Sequence, residues 1–188
     1  MVNTKTQKIQ ASFVKEDITS NDQQAFSLYE KSRLGEKIYG GGSEKGDIKI
    51  KYSFPEALYL VKKGKMKIYS GRSLNQSLDF KSLYKKIQVL DKKIQIKFPV
   101  FQDLREKGYI VKTALKFGAE FRVYEKGSKP GQGHAKWIVF TDHETKRFSW
   151  HDFAAKNRVA HSTKKRLLLA IVDEEMDVSY YEVKWLKP

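Results

Sequence analysis

The segment that decides the fold is SWHDFAAKNRVAHSTKKRLLLAIVDEEMDVSYYEVKW, residues 149–185. A capping-box signature, Ser149 with Asp152, predicts a helix over Ser149–His161. Leu167–Val172 follows as an uninterrupted apolar run of strand length. Since a strand follows the helix so closely, the segment predicts one part of a layered structure in which helices pack on a sheet.

Further strand-like segments lie on both sides of this helix along the chain. They are five to eight residues long and are enriched in β-branched and aromatic residues. In chain order they are Ile110–Leu115, Glu120–Tyr124, Lys136–Phe140, Leu167–Val172 and Val178–Trp185. One helix among five strands predicts a mixed α/β sheet in the second half of the chain.

The first half of the chain predicts a smaller unit that also combines helices and strands. Apolar residues at helical spacing, with capping residues before them, indicate three helices. The predicted elements are a strand at Ile9–Val14, helices at Asp22–Arg33 and from Pro55 to Gly64, a strand at Met66–Tyr69, and a helix from Asp79 to Ile94.

A domain boundary is expected at Phe98 and Pro99, because proline disfavours a helical conformation for the residue before it. A chain of 188 residues is long enough for two small domains. The predicted fold class is therefore α/β, with a small α/β N-terminal domain at residues 1–97 and a C-terminal mixed-sheet domain at residues 98–188.

Composition gives the first indication of a partner. The chain carries 37 Lys and Arg against 22 Asp and Glu, a net charge of +15 with a pI of about 9.7. The excess is spread over both halves, which predicts a polyanionic partner. The absence of cysteine excludes disulfides, thiolate metal sites and a cysteine nucleophile. No apolar run exceeds six residues, so we expect a cytoplasmic protein with no membrane contact.

Two kinds of catalytic site do not fit the sequence. Gly41 and Gly46 have the spacing of P-loop glycines, but Asp47 stands where that loop needs a lysine, so nucleotide hydrolysis is not expected. The histidines lack the spacing of four residues that zinc enzymes use on a helix, so neither a metal nor another cofactor is expected. These histidines are His134, His143, His151 and His161.

Residue types alone leave two interpretations of a site open. Tyr124 ends a predicted strand and His134 precedes the next, so the mouth of one hairpin offers a base and an acid for metal-free RNA cleavage. A packed tyrosine and a solvated histidine are the alternative. Glu182 and Lys184 share one face of the last predicted strand and could serve a metal-dependent nuclease. The acidic residues before them are more typical of a hairpin turn.

Several motifs resemble those of the archaeal tRNA-intron splicing endonucleases. The resemblance covers most of residues 101–188 and more loosely the first half, in FPEALYL (54–60) and DFKSLY (79–84). It implies a C-terminal nuclease-like catalytic domain and an N-terminal accessory domain. The matching motifs are GYIVKT (108–113), KFGAEFRVYEKG (116–127), RVAHS (158–162), LLLAIVD (167–173) and VSYY (178–181).

The resemblance implies a catalytic triad of Tyr124, His134 and Lys165. In this family the tyrosine removes the proton of the ribose 2'-hydroxyl, the histidine protonates the 5'-oxygen leaving group, and the lysine stabilises the charge of the transition state. The implied products carry a 2',3'-cyclic phosphate and a 5'-hydroxyl. Relatives often have a serine after the histidine, whereas this chain has Ala135, a change that leaves the imidazole in place.

The resemblance also implies how substrate is bound. Arg158 and Trp185 match the arginine and the aromatic ring that sandwich a flipped bulge nucleotide, which is stacking and cation–π recognition of an unpaired base. Lys45, in the glycine-rich loop 40–46, resembles a lysine that contacts RNA in members that accept irregular bulges.

Family members act as oligomers on precursor tRNA that contains a bulge-helix-bulge motif. An acidic loop of one subunit enters a basic cleft of another, and the matching run here is Asp173, Glu174, Glu175 and Asp177. The resemblance implies either a homotetramer or a heterotetramer with a related noncatalytic subunit. The chain could itself be such a noncatalytic subunit, but those should lack triad residues and this chain has all three.

Overall fold

The computed structural model describes residues 7–40, 47–71, 76–128 and 133–186. The chain divides into two compact units, Met1–Ile94 and Gln95–Pro188. Each unit contains a mixed sheet and helices, so the predicted α/β class is confirmed. The division follows Ile94, whereas the sequence suggested a boundary after residue 97.

In the described part of the N-terminal unit, six strands form one sheet in the order β3-β4-β2-β1-β5-β6. The strands β1 and β5 are parallel, and the other pairs are antiparallel. The predicted strands at the start of the chain and before residue 70, and the three predicted helices, are confirmed. The elements are β1 (Ile9–Val14), β2 (Asp17–Ser20), α1 (Gln23–Ser32), β3 (Glu36–Tyr39), β4 (Ile48–Tyr52), α2 (Phe54–Lys62), β5 (Met66–Ser70), β6 (Ser77–Leu78) and α3 (Phe80–Leu90).

In the described part of the C-terminal unit, five strands form a second sheet in the order β11-β10-β9-β8-β7. The strands β9 and β10 are parallel and α5 is the connection between them, while the other pairs are antiparallel. The five predicted strands and the capped helix are confirmed, but the last strand ends at Val183 and not at Trp185 as predicted. The elements are α4 (Ile94–Glu106), β7 (Ile110–Ala114), β8 (Ala119–Tyr124), β9 (Trp137–His143), α5 (Trp150–Ser162), β10 (Arg166–Val172) and β11 (Val178–Val183).

Helix α5 packs on one face of the second sheet. This packing fixes the position of the helix relative to the strand ends. Its start is capped as predicted, because the Ser149 hydroxyl accepts the Asp152 N–H at 3.1 Å. Ala160, near its end, packs with Ile138 and Leu167 in a buried apolar cluster. The apolar run of β10 is uninterrupted because its residues on both sides of the sheet are covered.

The helical segment predicted from Asp79 to Ile94 is wrong at its end. Helix α3 stops at Leu90, and Ile94 begins the next helix, α4. Helix α4 then continues through Pro99, contrary to the expected break at Phe98. Proline removes one hydrogen bond from a helix interior, but Phe98, Val100 and Phe101 are buried around it. Burial of these side chains outweighs the local preference.

No helix within the described ranges is long and apolar enough to cross a membrane.

Candidate active site

At one edge of the C-terminal sheet, the ends of three strands lie side by side. Since β8 is antiparallel to β9, and β9 is parallel to β10, the end of β8 lies beside the starts of β9 and β10. At this edge Val123 is paired with Trp137, and Trp137 with Arg166. The Lys136 N–H donates to the Val123 carbonyl at 2.9 Å, and the Lys136 carbonyl accepts the Arg166 N–H at 2.9 Å. Backbone hydrogen bonds thus fix the three strand ends to one another.

The three predicted catalytic residues flank these paired positions. Tyr124 is the last residue of β8 and is only 6% exposed. Lys165 immediately precedes β10 and is half-buried. His134 is exposed and lies in the connection before β9. The topology therefore brings the predicted tyrosine, histidine and lysine to the same edge of the sheet.

Lys165 is held at a defined position. Its Nζ donates a hydrogen bond to the Thr163 carbonyl at 2.7 Å and lies 5.7 Å from the centre of the Phe117 ring. An ammonium group has three donors, so this bond leaves it the capacity to bind further oxygen atoms. A lysine in this arrangement can stabilise negative charge that develops at the sheet edge.

An open cavity of about 920 Å³ lies at this edge, and Lys165 is part of its lining. Tyr124 directly precedes Glu125, which lines the cavity as well. Four of the lining residues are Lys or Arg, so the cavity favours an anionic ligand such as a phosphodiester. The lining residues are Glu125, Lys136, His161, Ser162, Lys164, Lys165 and Arg166.

The two residues predicted to bind an unpaired base lie near the end of α5. Trp185 follows β11 and is 60% exposed, and its ring meets His161 of α5 edge to face, with centroids 4.3 Å apart. Arg158 is exposed on α5. It precedes His161 by three residues, so the two share one face of the helix. The predicted roles of Arg158 and Trp185 in RNA binding stay predictions, and Lys45 lies outside the described residues.

The predicted acidic run forms the turn between β10 and β11. The Asp173 N–H donates to the Asp177 carbonyl at 3.1 Å, and the Asp177 N–H donates to Asp173 Oδ1 at 2.8 Å. Glu174 and Glu175 are exposed at its tip. The hairpin is therefore confirmed, and it lies at the edge of the sheet opposite the one with Tyr124 and Lys165. A role of this acidic turn in assembly stays a prediction.

Glu182 has a role that the sequence pattern did not reveal. Its Oε2 accepts the Trp137 Nε1–H at 2.6 Å and its Oε1 accepts from Arg166 Nη1 at 2.9 Å. The hydrogen bond from Trp137, together with the charge of Arg166, holds the pKa of the Glu182 carboxyl below its usual range. This carboxylate connects the side chains of β9, β10 and β11 beside the catalytic edge.

These contacts bear on the alternative of a metal-dependent nuclease. Both Glu182 oxygens accept hydrogen bonds from other side chains, and Lys184 Nζ lies 3.9 Å from one of them. Across residues 7–40, 47–71, 76–128 and 133–186, no three His, Asp or Glu side chains are grouped so that they could hold a metal ion. Glu182 is therefore engaged by side chains of β9 and β10, and Lys184 follows the end of β11.

We expect Glu182→Gln to lower stability most at neutral pH. A carboxyl whose pKa is lowered by folding stabilises the native state above its unfolded value of about 4.3, and this stabilisation is lost as the pH falls through the folded value. Urea unfolding should therefore show a deficit for the variant at pH 7 that shrinks below pH 4. Glu16→Gln, at an exposed turn position, is the matched control. An equal deficit at both pH values would contradict the assignment.

The similarity of this chain to known proteins is not confined to the residues at this edge of the sheet. A family model described as tRNA intron endonuclease, catalytic C-terminal domain, matches residues 94–180. The tRNA-splicing endonuclease of Thermococcus onnurineus is 39% identical over 160 residues, which cover 85% of each chain. That of Pyrococcus furiosus is 43% identical over 148 residues, or 79% of this chain and 82% of the relative. The enzyme of Nanoarchaeum equitans is 40% identical over 139 residues, or 71% and 87%.

These matches confirm the resemblance inferred from the motifs, and they include both halves of the sequence. The chain belongs to the tRNA-intron endonuclease family.

Proposed function

We propose that this chain is the catalytic subunit of a tRNA-splicing endonuclease that excises introns from precursor tRNA in the cytoplasm. It cleaves at bulge-helix-bulge junctions, needs no metal, and leaves 2',3'-cyclic phosphate and 5'-hydroxyl ends. The observation that carries the proposal is the position of Tyr124, His134 and Lys165 at the same edge of one sheet, near a cavity lined by Lys and Arg, in a member of this family. In this proposal residues 98–188 are catalytic and residues 1–97 are accessory.

The proposed reaction is an intramolecular displacement at phosphorus. Tyr124 removes the proton of the 2'-hydroxyl, and the 2'-oxygen attacks the adjacent phosphorus atom. The bond from phosphorus to the 5'-oxygen breaks, and His134 donates a proton to that oxygen as it leaves. Lys165 donates hydrogen bonds to the non-bridging oxygens, where negative charge gathers. One proton is taken up and one is delivered, so the reaction is balanced without a co-reactant.

Two features support RNA as the substrate. The net charge of +15 favours a polyanion, and the cavity beside Lys165 concentrates part of that charge. Arg158 and Trp185 are exposed and lie on or against α5, where a guanidinium and an indole ring can stack on an unpaired base. Lys45 is proposed as a further RNA contact.

The proposed oligomeric state follows from the number of cleavages that excision of one intron needs. Excision of one intron needs two cleavages, and this chain supplies one catalytic edge. We therefore place it in a homotetramer or in a heterotetramer with a related noncatalytic subunit. The turn that contains Asp173 and Asp177 lies away from the catalytic edge, so it can bind a neighbouring subunit while the cavity stays open to RNA.

The metal requirement and the chemistry can be tested in one experiment. The purified chain is incubated with an end-labelled bulge-helix-bulge RNA in excess EDTA. We expect full cleavage, a 3' fragment that a polynucleotide kinase labels without prior phosphatase, and a 5' fragment that ends in cyclic phosphate. The same RNA with both bulges base-paired is the control and should stay intact. Loss of cleavage in EDTA, or a 5'-phosphate on the 3' fragment, would exclude the proposed chemistry.

A further inference from the structure

The position of Trp185 is unusual for a residue whose ring is proposed to stack on an unpaired base. It lies beyond Val183, the last residue of β11, and its side chain is 60% exposed. A side chain outside regular structure keeps much of its rotational freedom, and that freedom is lost when a base stacks on it. A contact that holds the ring in advance reduces this cost.

The structure provides such a contact through His161. The imidazole and indole rings meet at 86°, with centroids 4.3 Å apart, which is an edge-to-face aromatic pair at close range. Because the two ring planes are nearly perpendicular, the contact covers at most one face of the indole and leaves a face available for stacking. The geometry therefore suits a neighbour that holds the indole ring while a base stacks on it.

His161 is itself well fixed. It lies in the last turn of α5, where its carbonyl accepts the Lys164 N–H at 2.9 Å. The preceding residue, Ala160, is buried and its carbonyl accepts the Lys165 N–H at 2.9 Å. The same short segment thus fixes the backbone at His161 and leads directly to the proposed catalytic lysine.

We propose that His161 is a positioning residue that holds the Trp185 ring in place for stacking on the unpaired base. This rests on the proposed function, which makes Trp185 and Arg158 the base-binding pair. Arg158 lies one turn before His161, on the same helix face. His161 also lines the cavity with Lys165, so the proposed base-binding and catalytic residues lie on neighbouring parts of the same surface.

The proposal is tested with the full chain in single-turnover cleavage of a bulge-helix-bulge RNA with 2-aminopurine at the bulged position. We expect His161→Ala to raise the half-saturating enzyme concentration about 2- to 13-fold, the equivalent of one aromatic pair. The maximal rate should change little, and the fluorescence quenching of the stacked 2-aminopurine should fall. His161→Phe keeps an aromatic ring at this position and should restore both the half-saturating enzyme concentration and the fluorescence quenching. His151→Ala, an exposed histidine at the other end of α5, is the control.

A double-mutant cycle with Trp185→Ala shows whether His161 acts through Trp185 or contacts the RNA directly. We expect His161→Ala to have no further effect once Trp185 is alanine. Additive losses, or a His161→Phe variant as weak as His161→Ala, would mean that the imidazole contacts the RNA itself and would overturn the proposal. A lower maximal rate with unchanged affinity would overturn it as well.

The outcomes also distinguish this proposal from the function on which it rests. If the bulge-helix-bulge RNA is cleaved neither by the unaltered chain alone nor by the chain assembled with a related noncatalytic subunit, the proposed function fails. If it cleaves and Trp185→Ala weakens binding, but His161→Ala does not, only the positioning role of His161 fails.

Discussion

Tyr124→Phe, His134→Ala and Lys165→Ala are each expected to slow single-turnover RNA cleavage by about 10²- to 10⁴-fold, the range of general acid–base catalysis. Binding of the RNA should change little, because in the proposed mechanism these groups act on the reacting atoms. The measurement is the cleavage rate at saturating enzyme, with RNA affinity from a filter-binding assay. Loss of binding with an unchanged rate would make the three residues contacts and not catalysts.

Matched variants control for the loss of a hydroxyl, an imidazole or a charge elsewhere. Tyr39→Phe, His151→Ala and Lys81→Ala alter exposed residues of the same types that have no role in the proposed reaction. We expect each to cleave at the rate of the unaltered chain. Slowing by these controls to the same extent would point to a general effect of charge or stability.

The individual roles can be separated with a modified substrate. Replacing the bridging 5'-oxygen by sulfur gives a leaving group that needs no proton, so the acid becomes dispensable. We expect this RNA to restore the rate of His134→Ala and to leave Tyr124→Phe slow. Rescue of the tyrosine variant alone would exchange the assigned roles of base and acid.

Lys164 is the neighbour that could be confused with Lys165. Its backbone is in the left-handed region, with φ of 54°, and its side chain is exposed. Lys165 is instead half-buried, and its Nζ is fixed by the Thr163 carbonyl. We therefore expect Lys164→Ala to be much less damaging than Lys165→Ala, and the opposite order would move the assignment by one residue.

The fold was predictable where the chain itself contains the signal. The apolar run of β10 and the capped start of α5 identify those elements because burial and capping leave a local pattern. Strands such as β2 and β6, of four and two residues, are too short for such a pattern and are defined by their pairing, β2 with β1 and β4 and β6 with β5. Helix α4 passes through Pro99 because buried neighbours override a local preference.

The site was predictable only in part for a similar reason. Tyr124 and His134 flank one hairpin, so residue types alone suggested them. Lys165 lies beyond a further strand and a helix, and it reaches the same edge only because β9 and β10 are parallel. The family resemblance supplied it. Glu182 binds partners 45 and 16 residues away, and periodicity along its own strand contains no information about them.

The prediction with the broadest consequence concerns the acidic turn of residues 173–177. Four negative charges project from a chain whose net charge is +15, so the turn is a local reversal of sign. Charged groups at a subunit interface steer association and fix its orientation. We expect neutralisation of all four carboxylates to dissociate a tetramer into dimers and to abolish intron excision.

The substitutions can be chosen so that the turn itself survives. Asp173 Oδ1 accepts the Asp177 N–H at 2.8 Å, and Asp173→Asn keeps an oxygen at that position while it removes the charge. The test variant therefore combines Asp173→Asn, Glu174→Gln, Glu175→Gln and Asp177→Asn. The control neutralises four exposed carboxylates of the N-terminal unit: Glu16, Asp17, Glu36 and Asp47.

Both variants raise the net charge by the same four units, so any difference between them reflects position and not total charge. Light scattering after size exclusion measures the assembly, and cleavage of a precursor tRNA measures excision of its intron. We expect dissociation and inactivity in the turn variant, and a tetramer with full activity in the control. Because exposed charges are screened by salt, the unaltered assembly should also loosen as ionic strength rises. An unchanged mass with full excision in the turn variant would show that the acidic residues only close a hairpin.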